Sequence, residues 1–145
     1  MNNMNKLIGA MFIALVLAFN LQAGDTDAKR LFISLSSGDF KQSGTAVAIA
    51  NAMQDAGVKT TVFLNAKSVQ LAVKSGSQEK FGPTNTSVKD MLKSLIKKGG
   101  TVMVCGMSAK FQEVKQSDII KGASIITGAE VYGGLFAPNT QTLSY

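Results

Sequence analysis

The chain has no histidine and a single cysteine, and these two scarcities narrow its chemistry sharply. Without histidine there is no Ser-His-Asp or Cys-His catalysis and no His-ligated metal site. The one cysteine, Cys105, closes no disulfide within the chain, so its thiol is buried, reactive or paired between chains. The nine acidic residues are scattered, with no close pair for glycosidase-like acid/base work. Neither a Gly-x-Gly-x-x-Gly fingerprint nor P-loop spacing is present. No metal and no cofactor is expected. Nucleic acid is not an expected partner either. The formal charge is +6, but the cations are spread along the chain, Lys97 and Lys98 are the only adjacent lysines, and no aromatic residues interleave them as a stacking platform requires. A dispersed basic surface suits anionic ligands or acidic partners instead.

A long apolar run is also missing. Leu7 to Phe19 is uncharged and apolar but too short to span a bilayer comfortably. It follows a short stretch bearing Lys6 and precedes polar and small residues, Asn20 to Gly24. This order is that of a secretory signal peptide, with cleavage expected after Ala23; an uncleaved N-terminal anchor is the alternative. Residues 1–23 are therefore read as a signal, residues 24–145 as one domain, and the protein as exported to the periplasm with no membrane attachment after cleavage. The mature chain keeps fourteen basic residues and nine acids, a formal charge of +5. Its 122 residues are enough for one core without disulfides or metals.

Periodicity in the mature chain alternates between strand and helix. Leu31 to Ser36 reads as a strand, broken at Ser37-Gly38-Asp39. Gln42 to Ala56 reads as an alanine-rich helix stopped by Gly57, and Lys59 to Leu64 as a β-branched and aromatic strand. Asn65 to Gly76 is expected to be a loop with a short helix, and Ser77 to Ser87 an exposed loop around Gly82-Pro83. Val88 to Lys98 spaces Val88, Met91, Leu92, Leu95 and Ile96 along one helical face with lysines on the other. Thr101 to Val104 is an unbroken apolar strand of the buried, parallel kind. Met107 to Lys115 is expected to be a short helix or turn, Ala123 to Thr127 a fourth strand, Gly128 to Phe136 a cover for the sheet, and Gln141 to Tyr145 a final edge strand. The pattern predicts an α/β fold with a mostly parallel sheet and helices on both faces.

In such sheets ligands gather beyond the carboxyl ends of the strands. Cys105 falls there. A helix beginning near Met107 sets the backbone N–H groups of Gly106 and Met107 and the cation of Lys110 around the thiol, which lowers its pKa, and Gly106 leaves the sulfur accessible. A small buried hydrophobe is the competing reading of the same residue. A second spot, Ser36-Ser37-Gly38, precedes the first helix and has the hydroxyls and glycine that hold an anion. Capping by Ser43 or Thr45 and a turn at Gly38-Asp39 explain the same residues.

The strand LFISLSSGD, the helix TAVAIANAMQDAG, the stretch VFLNAKSVQLAVKSG, the helix VKDMLKSLIKKGG, the segment TVMVCGMSAK, and the later IIKGASIIT and QTLSY occur in an order that resembles the DsrE/DsrF-like family of small sulfur-relay subunits. The resemblance implies a flavodoxin-like three-layer sandwich with about five strands and assembly into homo-oligomers, trimers or hexamers. It also implies a cysteine at position 105 that carries persulfide sulfur between donor and acceptor proteins. The sequence departs from the relay subunits, mostly cytoplasmic, in its export signal. Two functions therefore stand: a periplasmic sulfur carrier or sulfurtransferase using Cys105 and Lys110, or a non-catalytic oligomeric module binding a small anion or a partner protein, with Cys105 structural. Flavin or nucleotide binding rests on fold analogy alone.

Overall fold

The computed structural model describes residues 28–145. The signal segment expected over residues 1–23 lies outside the described residues. Five strands make one sheet: β1 (Arg30–Leu35), β2 (Lys59–Leu64), β5 (Thr101–Cys105), β6 (Ala123–Ile126) and β7 (Thr140–Ser144). Their order is β6-β5-β2-β1-β7, and every pairing is parallel. Four helices connect them: α1 (Phe40–Asp55), α2 (Val88–Lys97), α3 (Gly106–Phe111) and α4 (Gly128–Leu135).

The chain steps outward from β1 through β2 and β5 to β6, then returns through α4 to place β7 on the far side of β1. Right-handed crossovers with this order put α1, α2 and α3 on one face and α4 on the other. Packing agrees. Leu31, Ile33 and Leu35 alternate inward with Val62, Leu64, Val102 and Val104, and share one core with Ala46, Val47 and Ala50 of α1, Leu92 and Leu95 of α2 and Ala109 of α3. On the opposite face Phe32 and Phe63 meet with ring centroids 6.0 Å apart, and Gly134 of α4 lies against Phe32 and Met103. The layering is the flavodoxin-like sandwich expected, with its own strand order. Counted along the chain, the sheet strands run 4-3-2-1-5, where flavodoxin itself runs 2-1-3-4-5.

Several local expectations change. The helix predicted from Gln42 begins at Phe40, capped by Asp39, whose carboxylate accepts the Gln42 N–H at 2.9 Å. The hydroxyls of Ser43 and Thr45 donate to the Ser37 and Lys41 carbonyls instead of capping. Ser77 to Ser87 is not simply an exposed loop. It holds a two-stranded hairpin, β3 (Lys80–Phe81) and β4 (Thr86–Ser87). Phe81 turns inward, edge-on to Phe40, and fills the notch left by Gly44, where any Cβ would lie 2.3 Å from its ring. Lys89 breaks the pattern of an outward lysine face on α2. It is buried, and its ammonium donates to the Lys74 and Gly76 carbonyls at 2.8 and 2.7 Å, pinning that loop to the helix. Burial lowers its pKa, Lys93 adds to the effect, and Asp90 opposes it.

Candidate functional site around Cys105

Cys105 is the last residue of β5 and the residue immediately before α3, at the carboxyl edge of the sheet. Its thiol is unpaired and partly exposed. Gly106 follows because nothing larger fits: a Cβ there would stand 2.8 Å from the Ile126 carbonyl oxygen of β6. The glycine serves the tight β5–α3 turn rather than access to sulfur.

Burial alone would raise the thiol pKa. The Ser108 hydroxyl, the Ser108 N–H and the Met107 N–H outweigh it and bring the pKa below that of an ordinary thiol. None of these is a formed cap hydrogen bond in the resting state; they favour the anion once the proton leaves. Ser108 is well set for this. Its oxygen accepts the Ala66 N–H at 3.0 Å, so its own proton remains for the sulfur. Gln112, one turn on, donates to the Ala66 carbonyl at 2.7 Å and accepts from the Gln70 side chain at 2.9 Å. Ala66 is thus gripped at both its N–H and its C=O, at a φ of +46° that a non-glycine residue rarely adopts. Ala66 opens the 3₁₀ turn Ala66–Ala72 that follows β2, so this grip fixes the turn against α3.

The three residues expected around Cys105 divide. Met107 contributes its N–H, Gly106 shapes the turn, and Lys110 is not among the groups that move the thiol pKa. Its side chain borders a different cleft, with Gly106, Glu113 and Ile125. The structure does not join Ser36, Ser37 and Gly38 to Cys105; β2 and its connections intervene. Their polar groups are engaged locally. Ser36 donates through both N–H and hydroxyl to the Tyr145 carbonyl, at 2.9 and 3.0 Å, tying β1 to the end of β7. The Ser37 hydroxyl accepts the Asp39 N–H, and its carbonyl accepts from Ser43. Gly38 packs on the Lys67 side chain.

Ala66, Lys67, Met107, Ser108, Phe111 and Gln112 border an open cleft of about 550 Å³, which shares Met107 and Ser108 with the groups acting on Cys105. Met107 is 82 % and Phe111 90 % exposed, one helical turn apart on the same side of α3. Sequence reasoning missed Ser108, Ala66, Lys67, Phe111 and Gln112. Only Ser108 carried a local signal, as a hydroxyl three residues past a cysteine at the start of a helix.

A parallel five-stranded sheet between helical layers, with a partly exposed cysteine at the carboxyl end of an inner strand, defines a class of small α/β proteins. Within it, the chain belongs to the DsrE/DsrF-like family, whose model matches residues 29–134, and that membership suggests a sulfur-relay-related function. Among solved structures it is similar to the ychN protein from E. coli, at 14 % identity and a TM-score of 0.69, covering 81 % of this chain and 99 % of that one. It is similar also to MTH1491, a protein of unknown function from Methanobacterium thermoautotrophicum, at 12 % identity and a TM-score of 0.64, with 81 % and 99 % covered. None of the curated proteins matches it.

Proposed function

We propose that the protein is a periplasmic sulfur carrier that holds persulfide sulfur on Cys105. The observation that carries this reading is a partly exposed thiol whose pKa is drawn down by Ser108 and Met107 despite its burial. The Cys105 thiolate attacks a sulfane sulfur; with disulfane, HS–SH, the S–S bond breaks, HS⁻ leaves and Cys105–S–SH remains. An acceptor thiolate then attacks the outer sulfur, takes it as R–S–SH, and Cys105 departs as the thiolate. No histidine is needed, because the leaving and attacking groups are both thiolates. The signal-like order of residues 1–23 supports export.

Assembly into a homo-oligomer, a trimer or hexamer, is part of the same proposal. Parallel strands are ordinarily covered on both faces, yet Gln141 to Ser144 of β7 are exposed throughout. Tyr132 of α4 and Phe136, the residue that ends it, bring their ring centroids to 4.8 Å with the planes tilted by 37° while 66 % and 67 % exposed.

Intact-protein mass spectrometry after polysulfide treatment tests the carrier. Wild type should gain one sulfur atom and Cys105→Ser none. An unmodified wild type ends the proposal.

A further inference from the structure

The exposed side of α3 is more apolar than a carrier thiol requires. Met107 and Phe111 stand almost wholly in solvent, and the cleft they border with Lys67 and Gln112 lies on the helix that begins directly after Cys105. A small inorganic sulfur donor needs none of this surface. Side chains that project outward, rather than lining an enclosed chamber, suit insertion into a partner's own groove.

The charges beside them decide which partner. Lys67 lies on one flank of the pair and Lys110 on the other flank of α3. Among the described residues neither is in an ion pair: the ion pairs there join Lys93 to Asp90 and Lys98 to Asp55. Two acids lie nearby, Glu113 in the Lys110 cleft together with Lys115 and Glu79 in a further cleft bordered by Lys67, so lysines still outnumber acids on this side. A second copy of this chain is a poor occupant of this flank, because a mature protein with a formal charge of +5 brings further cations to the two lysines.

We propose that Met107 and Phe111, with Lys67 and Lys110 beside them, form the docking surface for an acceptor protein whose binding segment carries apolar residues flanked by carboxylates. The inference rests on the carrier reading and adds to it the kind of partner that collects the sulfur. Met107 and Phe111 enter the partner, Lys67 and Lys110 meet its acids, and the acceptor cysteine is brought to the edge of β5. The homo-oligomer contact proposed above uses α4 and β7, elements other than α3.

The test separates docking from sulfur chemistry by using the Cys105→Ser protein. Two fluorescent synthetic peptides share one Leu-Phe core, one flanked by glutamates and the other by lysines, and binding is read by anisotropy. The glutamate peptide should bind and the lysine peptide should not. Met107→Ser with Phe111→Ser should weaken the glutamate peptide by about tenfold or more, the loss expected for a buried anchor. Lys67→Glu with Lys110→Glu should turn the preference toward the lysine peptide. All four side chains are solvent-facing, so circular dichroism should show the fold retained. Equal binding of both peptides, no binding of either, or binding indifferent to the serine pair overturns the inference. None of these outcomes bears on whether wild-type Cys105 accepts sulfur, and an unreactive Cys105 with intact peptide binding removes the carrier function alone.

Discussion

Cys105 owes its character to Ser108 more than to the cation that the sequence offered, Lys110. The Ser108 hydroxyl, whose oxygen is already held by Ala66 N–H, is the strongest of the groups that lower the Cys105 pKa, so replacing it removes both the donor and the anchor of its orientation. Ser108→Ala should raise the pH at which Cys105 reaches half its maximal rate with iodoacetamide, while Lys110→Ala leaves that pH in place. The sign of the stability effect follows. A thiol pKa lower in the folded than in the unfolded chain stabilises the fold fully above the unfolded value, about 8.5 for a free thiol, and the effect is lost as pH falls through the folded pKa. Wild type should therefore gain stability over Cys105→Ser on going from neutral to alkaline pH, as read by urea midpoints. Gly106 is constrained by space. Gly106→Ala drives a Cβ into the Ile126 carbonyl and should cost about 1–3 kcal/mol, whereas Gly128→Ala, with open space around it, should be close to neutral.

At the scale of elements, the caps and the hairpin carry measurable weight. Asp39→Ala removes the N-cap of α1 and should cost about 1 kcal/mol in chemical unfolding. Phe81→Ala empties the notch at Gly44 and should cost about 3 kcal/mol or more. These two sites also mark what could be read from sequence. The spacing of Val88, Met91, Leu92 and Leu95 announced α2, and the unbroken TVMV announced a buried central strand, because period and composition are local properties. Phe81 was hidden in a polar tract because the space that receives it is made by Gly44, far away in the chain. The same holds at the site. Cys105 was legible from its place after a strand, but its real partners were not. Ser108 matters through Ala66, 42 residues earlier, and the cleft beside it joins the turn after β2 to a helix after β5.

At the scale of the whole molecule, the sheet exposes β7 on both faces, and the end of α4 presents the close aromatic pair Tyr132 and Phe136 to solvent. Sedimentation should report an oligomer that Tyr132→Ser with Phe136→Ser dissociates; a wild-type monomer at every concentration removes the assembly proposal. Cys105, α3 and the aromatic pair lie on separate elements, so the proposed assembly leaves the proposed carrier site open.

The account depends on the fold making Cys105 a better anion than the same residue in a free chain. The most direct measurement is the pH dependence of iodoacetamide alkylation of the wild-type protein, native and in urea. A native midpoint below the unfolded one, with ready reaction near neutral pH, is expected. A native midpoint at or above the unfolded value, or a thiol that reacts only after unfolding, contradicts it.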